Sequence, residues 1–261
     1  MGQHGFEIAY VFEYFYRLLP ALKVTLLIVG SSIGIGTIVG LLVALPQLYR
    51  IPVLRRLSQL YVSFFRGTPI LIQLFLFYYG VPEVLKLFYV DLTRTPALFF
   101  VILTYSLHSG AYIAEVIRGA VSAVDRGQVE AAYAVGMNGF QAFSRIVLPQ
   151  ALSISIPVYG NVVIGNLKDT SLAFTLGILD ITGKAQSMGT LSQRFIEVYI
   201  SLAALYFIIS FALQKLFERL ERRLLRHEPA AAGLTKEPLV KRSFLRREAA
   251  SSKWRRKEAQ L

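Results

Sequence analysis

Lys168 and Asp169 stand side by side inside an apolar stretch, with Thr170 and Ser171 directly after them. Opposite charges in such surroundings are costly unless they pair with each other, with backbone groups or with a ligand. One reading is a self-neutralising structural pair. The other is a site for a zwitterion, the lysine facing an α-carboxylate and the aspartate an α-ammonium, on a broken helix deep in a membrane. Arg66, within Phe65-Arg66-Gly67-Thr68-Pro69, poses the same problem and must either snorkel or find a partner. Thr68-Pro69 is expected to bend that helix and turn backbone oxygens toward a cavity. A third cluster, Thr104, Tyr105, Ser106, His108 and Ser109, marks an interior face, because lipid would not tolerate it. His108 reads first as a satisfied interior histidine and second as a proton relay. No catalytic set accompanies these groups: there is no Gly-x4-Gly-Lys-Ser/Thr loop, no HExxH, no glycine–serine elbow and no cysteine. The chemistry on offer is recognition, without an enzyme's nucleophile, a metal or a cofactor of its own.

The elements that must hold these residues are membrane spans. Of the 261 residues 54% are hydrophobic and 17% charged, the balance of a membrane chain. Five apolar segments are long enough to cross, at about 20–45, 60–79, 96–117, 151–178 and 195–213. The expected fold class is therefore all-α, a polytopic membrane protein with five transmembrane helices. Gly30, Gly34, Gly36 and Gly40 form small-xxx-small pairs in the first span, suited to close helix packing within the subunit or at a subunit interface. Residues 1–19 mix Glu7, Glu13 and Arg17 with aromatics; they read as an interfacial helix rather than a signal peptide.

The net charge of +12 would suggest a nucleic-acid partner were it not so unevenly placed. From Lys215 onward there are 14 Lys and Arg against 6 Asp and Glu, and residues 227–261 read as a disordered basic tail. That tail is either a solvated appendage or an element that binds anionic lipid or regulates a partner subunit. The loop 47–58 holds Arg50, Arg55 and Arg56 with no acid. With five spans, this loop, the segment 118–149 and the C-terminus share one side. The positive-inside rule makes that side the cytoplasm and puts the N-terminus outside.

The segment 118–149 carries too many charges to sit in hydrocarbon and is too patterned for a simple connector. Asp125-Arg126-Gly127-Gln128 reads as a turn into a helix whose first turn holds Glu130-Ala131-Ala132. Gly136 and Asn138-Gly139 break that helix, and a second, Phe140 to Leu148, is expected to stop at Pro149. The run Glu130-Ala131-Ala132, Gly136 and Ile146-Val147-Leu148-Pro149 resembles the EAA loop of ABC importer permeases. The resemblance implies a coupling helix docked on a cytoplasmic ATP-binding subunit, with Glu130, Ala131, Ala132, Gly136 and Pro149 as coupling residues.

Four motifs narrow the resemblance: RGTP at 66–69, YIAEVIRG at 112–119, GQVEAA at 127–132 and LKDTSL at 167–172. Together they are similar to the polar amino-acid branch, the permeases for histidine, arginine, glutamine and cystine, over about residues 15–225. That branch implies a type I ABC importer permease fold over residues 20–226 and a paired second permease subunit, identical or not. It further implies two ATP-binding subunits carrying the ATP and Mg, an external solute-binding protein, and a place in the bacterial cell membrane. The expected substrate pathway comprises Arg66, Thr68, Thr104, Lys168, Asp169, Thr170 and Ser171. Val129 departs from the family pattern, standing where many relatives carry an aromatic, so its docking contact is expected to differ. The alternatives are an ion-driven secondary transporter using Asp169 or His108 for the proton, and a membrane scaffold whose loop recruits another partner.

Overall fold

In the computed structural model, which describes residues 5–225, a short amphipathic helix α1 (Ile8–Leu18) turns through Leu19–Ala21 into α2 (Leu22–Leu48). There follow α3 (Pro52–Gly67), α4 (Ile70–Lys86), α5 (Ala97–Ala123), α6 (Arg126–Ala134), α7 (Gly139–Leu176), α8 (Ile181–Ser192) and α9 (Phe195–Leu225). No strand occurs among the described residues. The chain divides into a unit Met1–Arg219, which holds the helices of interest, and a unit Leu220–Leu261, of which only the end of α9 is described. The tail 227–261 lies outside the described residues.

Four stretches are long and apolar enough to cross a membrane by themselves: Ile8–Leu48, Ala97–Ala123, Gly139–Leu176 and Phe195–Leu224. The fifth span is α3 with α4, longer than the segment expected at 60–79 and broken where Thr68-Pro69 is expected to bend it. It bends by 110° at Thr68-Pro69. Pro69 has no N–H to offer and forces Thr68 into extended backbone (φ −116°, ψ 144°). The carbonyls stranded by the break are caught by Gln73, whose side-chain Nε2 donates to Phe65 O at 2.9 Å and to Thr68 O at 3.0 Å. Gln73 is 1% exposed, so these bonds face no competition from water.

The expected stop at Pro149 is also corrected, since α7 runs through it to Leu176. The turn Phe143–Val147 just before the proline is π-helical, and Leu148 N–H reaches back to Phe143 O. That wider turn makes room for a ring that would otherwise strike the carbonyl four residues earlier.

The glycines of the first span divide by face. A Cβ on Gly36 would lie 3.0 Å from Ser106 O, and one on Gly40 2.8 Å from Ile113 Cγ2. These two let α2 and α5 approach backbone to backbone, and Gly110 answers from the α5 side, 2.9 Å from Val39 Cγ1. A Cβ added at Gly30 or Gly34 would meet nothing within 4 Å. At the far end of the bundle, Arg194 lies over the Tyr10 ring and pairs with Glu7 and Glu197, pinning α1 against the start of α9. Asp180 caps α8 by accepting from Gly183 N–H at 2.8 Å. Its other oxygen is buried without a hydrogen-bond partner among the described residues, and burial pushes the carboxyl up to about 6.

Candidate functional site

A cavity of about 320 Å³ opens between α5 and α7. His108 and Tyr112 reach it from successive turns of α5, while Asn161 and Asp169 reach it from α7 at positions eight residues apart. Both pairs obey the 3.6-residue repeat, so one polar stripe of each helix faces the other.

The walls are held by bonds over long sequence separations. Asn166 takes a bond from Ser32 Oγ at 3.0 Å and gives one to Ser109 Oγ at 2.7 Å, which ties α2, α5 and α7 at one point. Tyr105 donates to the Asp169 carbonyl at 2.6 Å and fixes the end of the α-helical part of α7. His108 Nδ1 lies 2.9 Å from Gln73 Oε1. An amide oxygen can only accept, so Nδ1 carries the proton and Nε2 is left as an acceptor. The same glutamine thus seals the elbow between α3 and α4 and sets the histidine's tautomer. The Asp169 carboxylate, the Tyr112 hydroxyl and the Asn161 amide make no hydrogen bond or ion pair among the described residues.

Of the seven pathway residues expected from sequence, the cavity receives Asp169 alone. Lys168 is exposed and does not line it, and no ion pair joins it to Asp169. Adjacent helical residues diverge by about 100° around the axis, so neighbours in sequence do not converge on one ligand. Thr104 and Thr170 are buried and spend their hydroxyls on the Phe100 and Leu167 carbonyls of their own helices. Thr68 bonds Phe64 O and accepts from Gln73, and Ser171 is half-buried beyond the cavity. Arg66 finds its partner in Glu115, at 3.6 Å, and lies 5.4 Å over the Tyr112 ring. It lines a second cavity rather than this one. Gln73, Asn161 and Asn166 escaped the sequence reading. The signal for the α7 pair was there: Asn161, Asn166 and Asp169 form a helical stripe of polar groups in an apolar span.

At one end of the bundle the segment after α5 forms a knob. Asp125 caps α6 through Gly127 N–H at 2.7 Å. The helix closes at Gly136 (φ +85°), with Met137 N–H bonding Ala132 O and Gly136 N–H bonding Tyr133 O. This crossed pair is a Schellman closure, which needs a left-handed residue where glycine is. Asn138 and Gln141 then cap each other reciprocally at 2.9 and 3.0 Å and start α7. Val129 packs inward against Val124 and Val147, and Gln150 bonds Gln128 at 2.6 Å, so α6 is braced on α7. Ala132 is buried, whereas Glu130 and Ala131 are exposed. Tyr133, Val135 and Phe140 put apolar surface on the outside of the knob, Phe140 at 80% exposure. Pro149 sits inside the chain of α7, where it shapes the helix rather than the knob's surface.

A five-span all-α chain with a braced knob and a cavity between α5 and α7 that receives a few polar side chains has clear counterparts. Residues 36–226 match the family described as "Binding-protein-dependent transport system inner membrane component". The chain is 41% identical over 226 residues to the L-cystine transport system permease protein TcyL of Bacillus subtilis (strain 168), covering 87% of this chain and 95% of that one. It is 38% identical to the nopaline transport system permease protein NocM of Agrobacterium fabrum (strain C58 / ATCC 33970), over 88% and 96% of the two chains. A solved amino acid ABC transporter with histidines superposes with a TM-score of 0.75 at 32% identity, over 84% of this chain and 99% of that one. A subunit of the MetNI methionine ABC transporter, at 19% identity and TM-score 0.65, shares the fold. The chain belongs to this family of binding-protein-dependent permeases and is an amino-acid ABC importer permease with the type I fold.

Proposed function

We propose that this chain is the conduit of an ATP-driven importer, passing a zwitterionic polar amino acid inward by alternating access through the cavity between α5 and α7. The observation that carries this reading is the pairing of unsatisfied groups in that cavity. The Asp169 carboxylate and His108 Nε2 can accept from an α-ammonium, while the Tyr112 hydroxyl and Asn161 amide can donate to an α-carboxylate. This replaces Lys168 as the expected partner of the carboxylate.

Energy comes from elsewhere. The exposed apolar face of the knob suits docking on a cytoplasmic ATP-binding subunit that holds ATP and Mg, with Glu130 at its edge. Closure of two such subunits on nucleotide would draw paired knobs together and tilt the spans outward; hydrolysis would reset them. A second permease subunit and an external solute-binding protein complete the assembly, the N-terminus lying outside and the C-terminus in the cytoplasm. Cystine is the first candidate substrate, on the 41% identity to the cystine-system permease.

The test is uptake of a panel of labelled amino acids into proteoliposomes holding the chain with its ATP-binding subunit. ATP is supplied inside and the solute receptor outside, each withheld in turn. Uptake requiring both is expected. Uptake that ignores ATP and follows a proton or sodium gradient would overturn the reading.

A further inference from the structure

Where the ends of α2 and α5 meet α3, a second cavity of about 580 Å³ collects five arginines, Arg50, Arg55, Arg66, Arg118 and Arg126, against the single carboxylate of Glu115. Glu115 is already shared: Arg118 holds it at 2.7 Å and Arg66 at 3.6 Å. Arg50, Arg55 and Arg126 make no ion pair among the described residues. Gln47, in the same wall, has a buried side-chain Nε2 with no hydrogen-bond partner among the described residues. Arg50 itself sits in left-handed backbone (φ 57°), an unfavourable place for a long side chain, in the tight turn that brings it to the cavity. The cavity is thus a set of unanswered donors and positive charges.

A third cavity, of about 390 Å³ and almost wholly apolar, runs up the bundle from the same place, walled by α2, α5 and α7. Leu41, Leu45, Phe143 and Leu152 belong to it. Leu48 and Val121 line both cavities, so the charged chamber and the apolar one adjoin across these two side chains. The outer face of α3 carries exposed Val53, Leu54, Leu57 and Leu60, which sets the arginines at the depth where hydrocarbon gives way to headgroups.

We propose that these adjoining cavities form a binding site for an acidic glycerophospholipid. Its phosphate is held by Arg50, Arg55 and the Gln47 amide, and one acyl chain lies along Leu45 and Leu152. A free anion would satisfy the arginines and leave the apolar chamber empty; a neutral lipid would fill the apolar chamber and leave the arginines unanswered. Only an amphiphile with an anionic head matches both, and basic recesses between spans at the headgroup level are where such lipids are held. The site is independent of the amino acid carried.

The test uses the full chain carrying Leu45→Trp as its one tryptophan, with Trp254→Phe, in nanodiscs containing phosphatidylglycerol or phosphatidylcholine with brominated acyl chains. Brominated phosphatidylglycerol should quench the reporter at about tenfold lower mole fraction than brominated phosphatidylcholine. Arg50→Gln with Arg55→Gln should erase that preference. Excess inorganic phosphate should leave it in place. Equal quenching by the two lipids, or a preference unchanged in the double variant, would overturn the proposal. Full displacement by inorganic phosphate would also overturn it and make the chamber a simple anion site. Lipids retained on purification, read by native mass spectrometry with and without the two substitutions, give the same answer without the tryptophan.

Discussion

The knob at the end of the bundle and the cavity in its middle are built on opposite principles. Nearly every bond that shapes the knob is local: Asp125 to Gly127, Met137 to Ala132, Asn138 to Gln141. Nearly every bond that shapes the cavity is remote: Ser32 to Asn166, Asn166 to Ser109, His108 to Gln73, Tyr105 to Asp169. A locally capped element keeps its shape whatever the bundle does, as a lever must. A cavity tied together from four helices changes whenever those helices move, as a gated site must. Under the proposed mechanism the knob would transmit and the cavity would respond.

Gly136→Asp gives the sharpest break between the two. A Cβ added there meets nothing within 4 Å, but an L-residue at φ +85° strains the Schellman closure by about 1 kcal/mol. The bundle should fold and insert normally while uptake is lost, measured as membrane-inserted protein against transport. Normal uptake would detach the knob from coupling. Asp169→Asn attacks the other region: it keeps the shape of the side chain and removes its charge. A charge-assisted bond contributes about 1.5–3 kcal/mol, so KM should rise roughly 10- to 100-fold with the folded population unchanged. An unchanged KM would move the substrate elsewhere. Gln73→Leu should show the smallest effect on function and a clear one on stability. It strands the Phe65 and Thr68 carbonyls at the elbow, at about 1–3 kcal/mol, readable as a lowered thermal midpoint in detergent.

The same contrast explains what could be read in advance. The turn at Asp125 and the break at Gly136 were legible, because helix starts and glycine closures depend on neighbours within about five positions; the Asn138–Gln141 cap was not named in advance. Pro149 was misread there because its accommodation relies on the π-turn at Phe143–Val147, a shape no single residue announces. Asp169 lines the cavity, whereas its sequence neighbour Lys168 is exposed and does not. Adjacency in sequence was taken for adjacency in space, and on a helix the two part company. Thr104 and Thr170 were drawn in by their polarity, though hydroxyls in a span readily satisfy themselves on the preceding turn. Gln73 carried no local signal, since its meaning lies in carbonyls freed by a proline four residues before it and in a histidine 35 residues away.

By itself the sequence determined an all-helical membrane chain with five spans, a kink at Thr68-Pro69, and a knob that begins with a turn at Asp125 and breaks at Gly136. Each of these follows from hydrophobic length or from backbone chemistry confined to a few residues. Only the tertiary structure decided which polar groups share the cavity, that Glu115 is the partner of Arg66, and which glycines of the first span touch another helix. Those outcomes depend on how helices rotate and cross against each other, and side-chain packing across the bundle fixes that after the local rules have been spent.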